Sequence, residues 1–423
     1  MSVQTETPVS EGLGLQPWMT APATRAVIEA LEARGGRGCA RFVGGCVRNA
    51  VIARPIDDID IATTLVPDET TAALEARGMR VAPTGVEHGT VTAVYERQPF
   101  EITTLRRDVS TDGRRAVVAF STDWFEDAMR RDFRLNALYA DPDGRLFDPT
   151  GKGVEDARAG RIVFVGDPMI RIREDYLRIL RFFRFQAWFG RGEPDAAGLA
   201  ACRALKDMLA GRSAERTQKE TLKLLAADDP RASLKLMAST GVLAAILPFV
   251  KDLSRFERMI GIEQALGEND PELRLAALIP PDPASAELAA ERLRLSNAQR
   301  ERLASAVGAE PRIVSWMSPR QLRRAVYRLG RPTFVDRVRL AWAGADRPAS
   351  APQWRALLTL AESWTPPQLP VNGEDAMTAG VPPGPLVGQV LREVEDWWID
   401  EDFPADRGLA LERLKTVAEG MVS

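Results

Sequence analysis

The sequence predicts an α/β (α+β) head with a small mixed sheet, followed by an all-α C-terminal remainder. Three observations carry this. Helical spacing and strand alternation take turns through the first third of the chain. From about residue 170 onward strand signals vanish, and amphipathic helices are broken by Gly and Pro in "ADDPRAS", "LIPPDPAS" and "AGVPPGPLVG". The 423 residues are too many for one compact core, so roughly two to four domains are expected.

The opening "MSVQTETPVSEG" is polar and contains acids, which argues against a secretory signal or an Arg-rich transit peptide and predicts a disordered leader over residues 1–20. "TRAVIEALEARG" (24–35) has helical spacing and ends at Gly35 and Gly36; "CARFVGG" follows as a strand running into glycines. "CVRNAVIA" reads as a second helix, "RPIDDIDIAT" (54–63) as a strand, and "PDETTAALEARG" (67–78) as a third helix with a Pro-Asp-Glu start. "TVTAVYERQPFEITTL" alternates as a hairpin whose short polar turn contains Pro99. No internal repeat is evident.

Composition excludes several classes. With 45% hydrophobic and 27% charged residues the chain is an ordinary globular protein, and no apolar run approaches the roughly 20 residues that span a bilayer. Cys39, Cys46 and Cys202 are odd in number and lack C-x-x-C spacing, so neither a disulfide framework nor a zinc site is indicated, and a reducing, cytoplasmic location fits. The single His88 excludes multi-histidine metal chemistry. A net charge of −3 does not by itself announce a nucleic-acid binder.

Three aspartates crowd the strand at 54–63. Period two places Asp58 and Asp60 on one face and Ile59 and Ile61 on the other, with Asp57 at the strand's entry, capping it or pairing with Arg54. Adjacent carboxylates repel unless a cation lies between them, so the pair reads as a ligand set for Mg²⁺; a solvated edge strand has the same pattern. Just upstream, "RFVGGCVRN" ends a strand in Gly44 and Gly45 and opens a helix carrying Arg48. Glycines allow close backbone approach, and the arginine adds charge, as a triphosphate seat requires. Gly-Gly, Arg and Asp-x-Asp within about 17 residues restrict the reading far more than either part.

"FVGGCVRNAVIARPIDDIDIAT" resembles the signature of polymerase-β-type nucleotidyltransferases, in the class II (bacterial/eukaryotic) branch of CCA-adding enzymes and poly(A) polymerases. "RRDFRLNALYADPDGRLFDPTGKG" (130–153) is similar to the family's ribose-recognising segment, and "REDYLRILRFFRF" (173–185) to its nucleobase-selecting helix. One departure is Asn49, where the family usually has Asp. The resemblance implies a catalytic nucleotidyltransferase head at 21–155, a helical neck at 156–240 for base selection and RNA contact, and a tRNA-binding helical body and tail at 241–423.

It also implies roles. Asp58 and Asp60 would hold Mg²⁺, with Glu101 as a third carboxylate joining them or activating the attacking hydroxyl. Gly44, Gly45, Arg48, Arg131, Asp132 and Asn136 would serve the triphosphate and sugar. Arg171, Glu174, Asp175 and Arg178 would select the base, since residues three or four apart on one helix share a face. The charged stretch at 106–124 corresponds to a loop that switches from C to A addition, with Arg106, Asp108 and Arg114 as candidates. "PTGVEHGTVTAV" resembles the Gly-x-x-His-Gly-Thr turn of CCA-adding enzymes, making His88 a turn residue rather than a catalyst.

The expected reaction is template-independent addition of CMP and AMP, from CTP and ATP, to the 3′ end of tRNA. Poly(A) tailing, partial CC or A addition, and a non-catalytic tRNA- or nucleotide-binding protein are the alternatives. In the C-terminal helices Arg320, Arg323, Arg324 and Arg328 form a basic stripe suited to RNA phosphates. A monomer or homodimer is expected.

Overall fold

Period two governs the central strands. Ile59 and Ile61 are buried, while Asp60, between them, is only partly so. The computed structural model describes residues 8–85, 89–111 and 116–422. They fall into two units, one ending at Pro248 and one beginning at Phe249.

In the first unit β1 (Ala40–Val43), β2 (Asp60–Thr63), β3 (Arg80–Gly85), β4 (Thr90–Tyr95), β5 (Gln98–Thr104), β8 (Tyr139–Ala140) and β9 (Leu146–Phe147) form one sheet in the order β3-β4-β5-β2-β1-β8-β9. The sheet is mixed. β2 runs parallel to β5 with Asp60 opposite Glu101, whereas β1 pairs antiparallel with both β2 and β8. The turn between β4 and β5 is Glu96–Arg97, both left-handed at φ 49° and 66°, and Pro99 lies inside β5 rather than in the turn. The stretch read as a charged loop holds a separate hairpin, β6 (Arg106–Thr111) with β7 (Ala116–Phe120).

Helices α1 (Pro17–Thr20), α2 (Pro22–Gly35), α3 (Gly45–Val51) and α4 (Pro67–Glu75) punctuate these strands, and α2 packs on α4 and β1. Pro at the start of α2 and of α4 suits the first helical turn, where no N–H is needed. α5 (Trp124–Met129) covers the Ala62 side of the sheet, where Val43, Ala62, Leu105, Trp124, Ala128 and Tyr139 share one core.

The leader expectation is corrected for residues 8–20. Val9 and Leu13 donate backbone hydrogen bonds to Leu146 and Gly144, Trp18 meets Phe42 edge-on at 4.8 Å, and Met19 is buried. Sheet-edge pairing and an aromatic contact give this segment the enthalpy that its polar composition hides.

Beyond the sheet the first unit is helical: α6 (Gly153–Ala159), α7 (Pro168–Glu174), α8 (Arg178–Phe189), α9 (Ala196–Leu205), α10 (Ala214–Leu225) and two more helices. Phe133 packs against Phe164 at 4.8 Å and Phe185 at 5.0 Å, and Phe164 stacks on Phe182 at 5.7 Å, joining the segment after α5 to α8. The segment expected to be one helix over 173–185 is two. Asp175 is extended (φ −152°, ψ 104°), and its Oδ1 accepts from the Leu177 N–H at 3.2 Å. A short polar side chain bonding the local backbone competes with helix continuation.

The second unit is all-helical among its described residues. One of its cores gathers Val371, Val390, Val394, Leu414 and Val417.

Candidate active site

β1 delivers the chain to Gly44, which turns with φ 72° and ψ −120° into α3. That left-handed conformation is where glycine is needed. A Cβ there would lie 3.8 Å from Arg131 Nη1 and 3.9 Å from Asp60 Oδ2, so the turn faces both groups. Gly45 sits beside Arg48 in the same way, 3.9 Å from its Nη2.

Asp60 opens β2, while Asp58 lies in the extended segment before it and is exposed. This corrects the single-strand picture of 54–63. Arg54 reaches the Trp188 carbonyl at 2.7 Å instead of Asp57. Parallel pairing sets Glu101 level with Asp60, and Glu101 is exposed. Burial pushes the Asp60 carboxyl up to about 6, and Glu101 and Asp58 add to this against the pull of Arg131 and Arg48.

Arg48, expected to add fixed positive charge to a triphosphate seat, is buried within a chain of side chains. Its Nη1 donates to Asn136 Oδ1 at 2.7 Å, and Nε and Nη2 donate to Asn49 Oδ1 at 3.1 and 2.8 Å. Its guanidinium lies 4.0 Å over the Phe189 ring. Burial lowers its pKa to about 10, leaving it charged at neutral pH.

Asn136 Nδ2 passes the chain to Asp132 Oδ1 at 3.2 Å, and Asp132 Oδ2 accepts from Arg181 Nε at 2.8 Å. Asp132 and Asn136 are therefore satisfied by the protein. Asn49 has a reason of its own: Nδ2 donates to the Pro55 carbonyl at 2.7 Å, a bond that an Asp could not make, and so anchors the segment leading to Asp58.

Arg131 is held from behind. Asp127 Oδ2 accepts from its Nε and Nη2 at 3.2 and 2.9 Å and from the Tyr139 hydroxyl at 2.7 Å. In the segment expected to select the base, Glu174 binds Arg171 and, at 2.5 Å, Arg178. Arg171 also donates to the Met129 carbonyl at 2.8 Å and Arg178 to that of Arg130 at 3.1 Å. Asp175, beyond the helix break, does not pair with Arg178; its Oδ2 accepts from Arg216 at 2.6 Å.

The first unit thus assembles Gly44, Asp60, Glu101 and Arg131 at one end of the sheet, with the Arg178 segment locked to the two residues before Arg131. The chain matches the Poly A polymerase head domain family over residues 40–163 and the family described as a probable RNA and SrmB-binding site of polymerase A over 194–253. It is 32% identical to the mitochondrial CCA tRNA nucleotidyltransferase 1 of Danio rerio over 85% of this chain and 83% of that one. It is also 32% identical to the CCA-adding enzyme of Streptococcus gordonii, over 90% and 93%. The chain belongs to the CCA-adding enzyme family. The crystal structure of the Bacillus stearothermophilus CCA-adding enzyme in complex with CTP superposes with a TM-score of 0.74 at 25% identity, covering 95% of this chain and all of that one.

CCA-adding enzymes are nucleotidyltransferases of a kind that generally uses divalent metal ions. The donor set here fits one. Asp60 is partly buried and crowded by two carboxylates, the setting that an added cation relieves, and all the donors are oxygens. Among the described residues no three His, Cys, Asp or Glu side chains form a closed cage. An open pair is what an ion that keeps waters and substrate phosphates requires.

The other expected residues divide. His88 and Arg114 lie outside the described residues, as does the Asp108 side chain. In the second unit the basic stripe on helix Pro319–Leu329 meets an acidic run: Arg323 pairs with Asp402, Arg324 with Asp400 at 2.6 Å, and Arg328 with Asp396 at 2.8 Å. Arg320 makes no ion pair among the described residues. Asp127, Tyr139, Arg181 and Arg216 were missed. Asp127, four residues before Arg131, and Arg181, three after Arg178, had a helical-spacing signal.

Proposed function

We propose that this chain completes the 3′ end of tRNA in the cytoplasm, adding CMP and then AMP from CTP and ATP without a nucleic-acid template. The observation that carries the reading is the meeting of Asp60, Gly44 and Arg131 on one side of the sheet, in a chain covered for 85–90% by relatives named for CCA addition.

The missing side chain of Gly44 would let phosphate oxygens approach the backbone beside Arg131 Nη1. Asp58 and Asp60 would hold Mg²⁺, which supplies a more acidic RNA 3′-hydroxyl and neutralises the triphosphate and the departing pyrophosphate. Glu101, level with Asp60 and exposed, would take the hydroxyl proton or complete the oxygen set. Asp175, held by Arg216, and Arg178, held by Glu174, would meet a base edge with the hydrogen-bonding capacity these contacts leave, with no template strand needed. Positioning and charge stabilisation then account for most of the rate.

RNA contact falls to the second unit. Arg320, which makes no ion pair among the described residues, would take phosphates beside a cleft of about 500 Å³ lined by Arg312, Met317 and the ion-paired Arg324 and Arg328, and Trp316 nearby is 71% exposed. Exposed arginine and aromatic surface together suit an RNA backbone and an unpaired base.

The test is incubation of purified protein with a tRNA transcript lacking its CCA end and with labelled CTP and ATP, products resolved to one nucleotide. Extension by CCA supports the reading. Long A tails on any RNA would favour the poly(A) polymerase alternative, which shares the head family. Extension by CC or A alone would make it a partial enzyme, and binding without incorporation would overturn the transferase assignment.

A further inference from the structure

We infer that Asp127 is a positioning residue for nucleotide binding: it grips two nitrogens of the Arg131 guanidinium so that the third faces the incoming triphosphate. The inference rests on reading the Gly44–Asp60 pocket as the nucleotide seat.

Asp127 is 1% exposed on α5, one turn before Arg131. Its Oδ2 takes Arg131 Nε and Nη2, leaving Nη1 without a hydrogen bond among the described residues. That free nitrogen is the one beside the Gly44 turn and Asp60. A guanidinium gripped along one edge cannot rotate, so its remaining donor is aimed without further loss of side-chain entropy.

Tyr139 closes the grip. Its hydroxyl donates to Asp127 Oδ2 at 2.7 Å and accepts from Arg131 Nε at 3.1 Å. Asp127 Oδ1 takes Arg130 Nε at 2.8 Å and the Arg106 backbone N–H at 3.4 Å, where β6 begins. One buried carboxylate therefore ties the triphosphate-facing arginine to the base of the β6–β7 hairpin. Although burial opposes ionisation, Arg131 and Arg130 hold its carboxyl well below the usual range, so it stays charged at working pH.

The experiment compares wild type with Asp127→Asn and Tyr139→Phe, measuring the dissociation constants of CTP and CMP by calorimetry and the KM for each nucleotide and for tRNA. Loss of charge-assisted grip should weaken CTP by about 10-fold or more in Asp127→Asn and by about 3-fold in Tyr139→Phe, with CMP affinity and tRNA KM changed by less than about 2-fold. A merely structural role would lower the active fraction and leave these ratios alone. Should Asp127→Asn fail to fold, Tyr139→Phe decides, because it keeps the ring that packs on Trp124 at 5.4 Å. A folded variant with wild-type CTP affinity, or with CTP and CMP weakened equally, overturns the inference. Since binding is read separately from incorporation, a wild-type protein that binds CTP but extends no RNA would count against the proposed function and leave this test intact.

Discussion

Replacing Asp60 with Asn should separate what folding wants from what catalysis needs. In metal-free protein the Asp60 carboxyl is pushed up to about 6 from an ordinary value of 3.8, first by burial and then by Glu101. Between those values the folded chain holds a proton that the unfolded chain has released, so stability falls as pH rises through that window, and the full penalty is present above pH 6. At about 1.4 kcal/mol per pH unit, the penalty is about 3 kcal/mol. Asn has nearly the same shape and no charge. In EDTA at pH 8 the Asp60→Asn protein should therefore melt higher than wild type, by roughly 6–12 °C for a unit of this size, and the gap should close as pH approaches 4. Magnesium should raise the wild-type transition and leave the variant's unchanged, while nucleotide addition falls by about 10³-fold or more. Scanning calorimetry across pH, with and without Mg²⁺, reads all of this. A variant that melts at or below wild type at pH 8 in EDTA would refute the reasoning.

Other consequences are open to measurement. Glu174→Gln removes the carboxylate shared by Arg171 and Arg178; nucleotide KM should rise about 10-fold or more in steady-state assays, as each arginine loses a charge-assisted bond. Burial opposes ionisation of Asp132, but Arg181 outweighs it and holds the carboxyl down to about 2. Its stabilisation, about 2 kcal/mol, is complete above pH 4 and lost as pH falls towards 2, so acid unfolding of Asp132→Asn should show a correspondingly weaker pH dependence. Arg320→Ala should flatten the salt dependence of tRNA binding by about one unit of slope. Arg324→Ala should do so less, because Asp400 already neutralises that arginine; filter binding at several salt concentrations distinguishes them. Glu101→Gln should slow addition with little effect on melting, since the side chain is exposed.

Much of the head was legible because it rests on short-range rules. Gly44 marks a turn with positive φ and Gly45 the helix start after it, the flanking Ile59 and Ile61 orient Asp60, and Pro-led starts locate α2 and α4. Those rules failed where distant partners decide. The segment 173–185 has helical periodicity throughout, yet Asp175 leaves the helix to bond Leu177 and Arg216. The arginines of 320–328 look like an RNA surface until the acidic run 396–402 lies against them. Residues 8–20 look like a leader until β9 offers them backbone partners.

What the linear order of residues decided was the inventory and its periods: two carboxylates spaced to flank one buried isoleucine, glycines before an arginine, and helices without strands after the head. Only the folded chain decided which charges remain available. Asp132, Asn136 and Arg48 satisfy one another and Arg181, while Arg131 keeps its Nη1 nitrogen free because Asp127 holds Nε and Nη2. The reason is geometric: charge and hydrogen-bonding capacity are properties of a residue, but their saturation depends on neighbours, some one helical turn away and others, such as Arg48 with Asn136 and Asp132 with Arg181, many tens of residues away and brought within 3 Å by the fold.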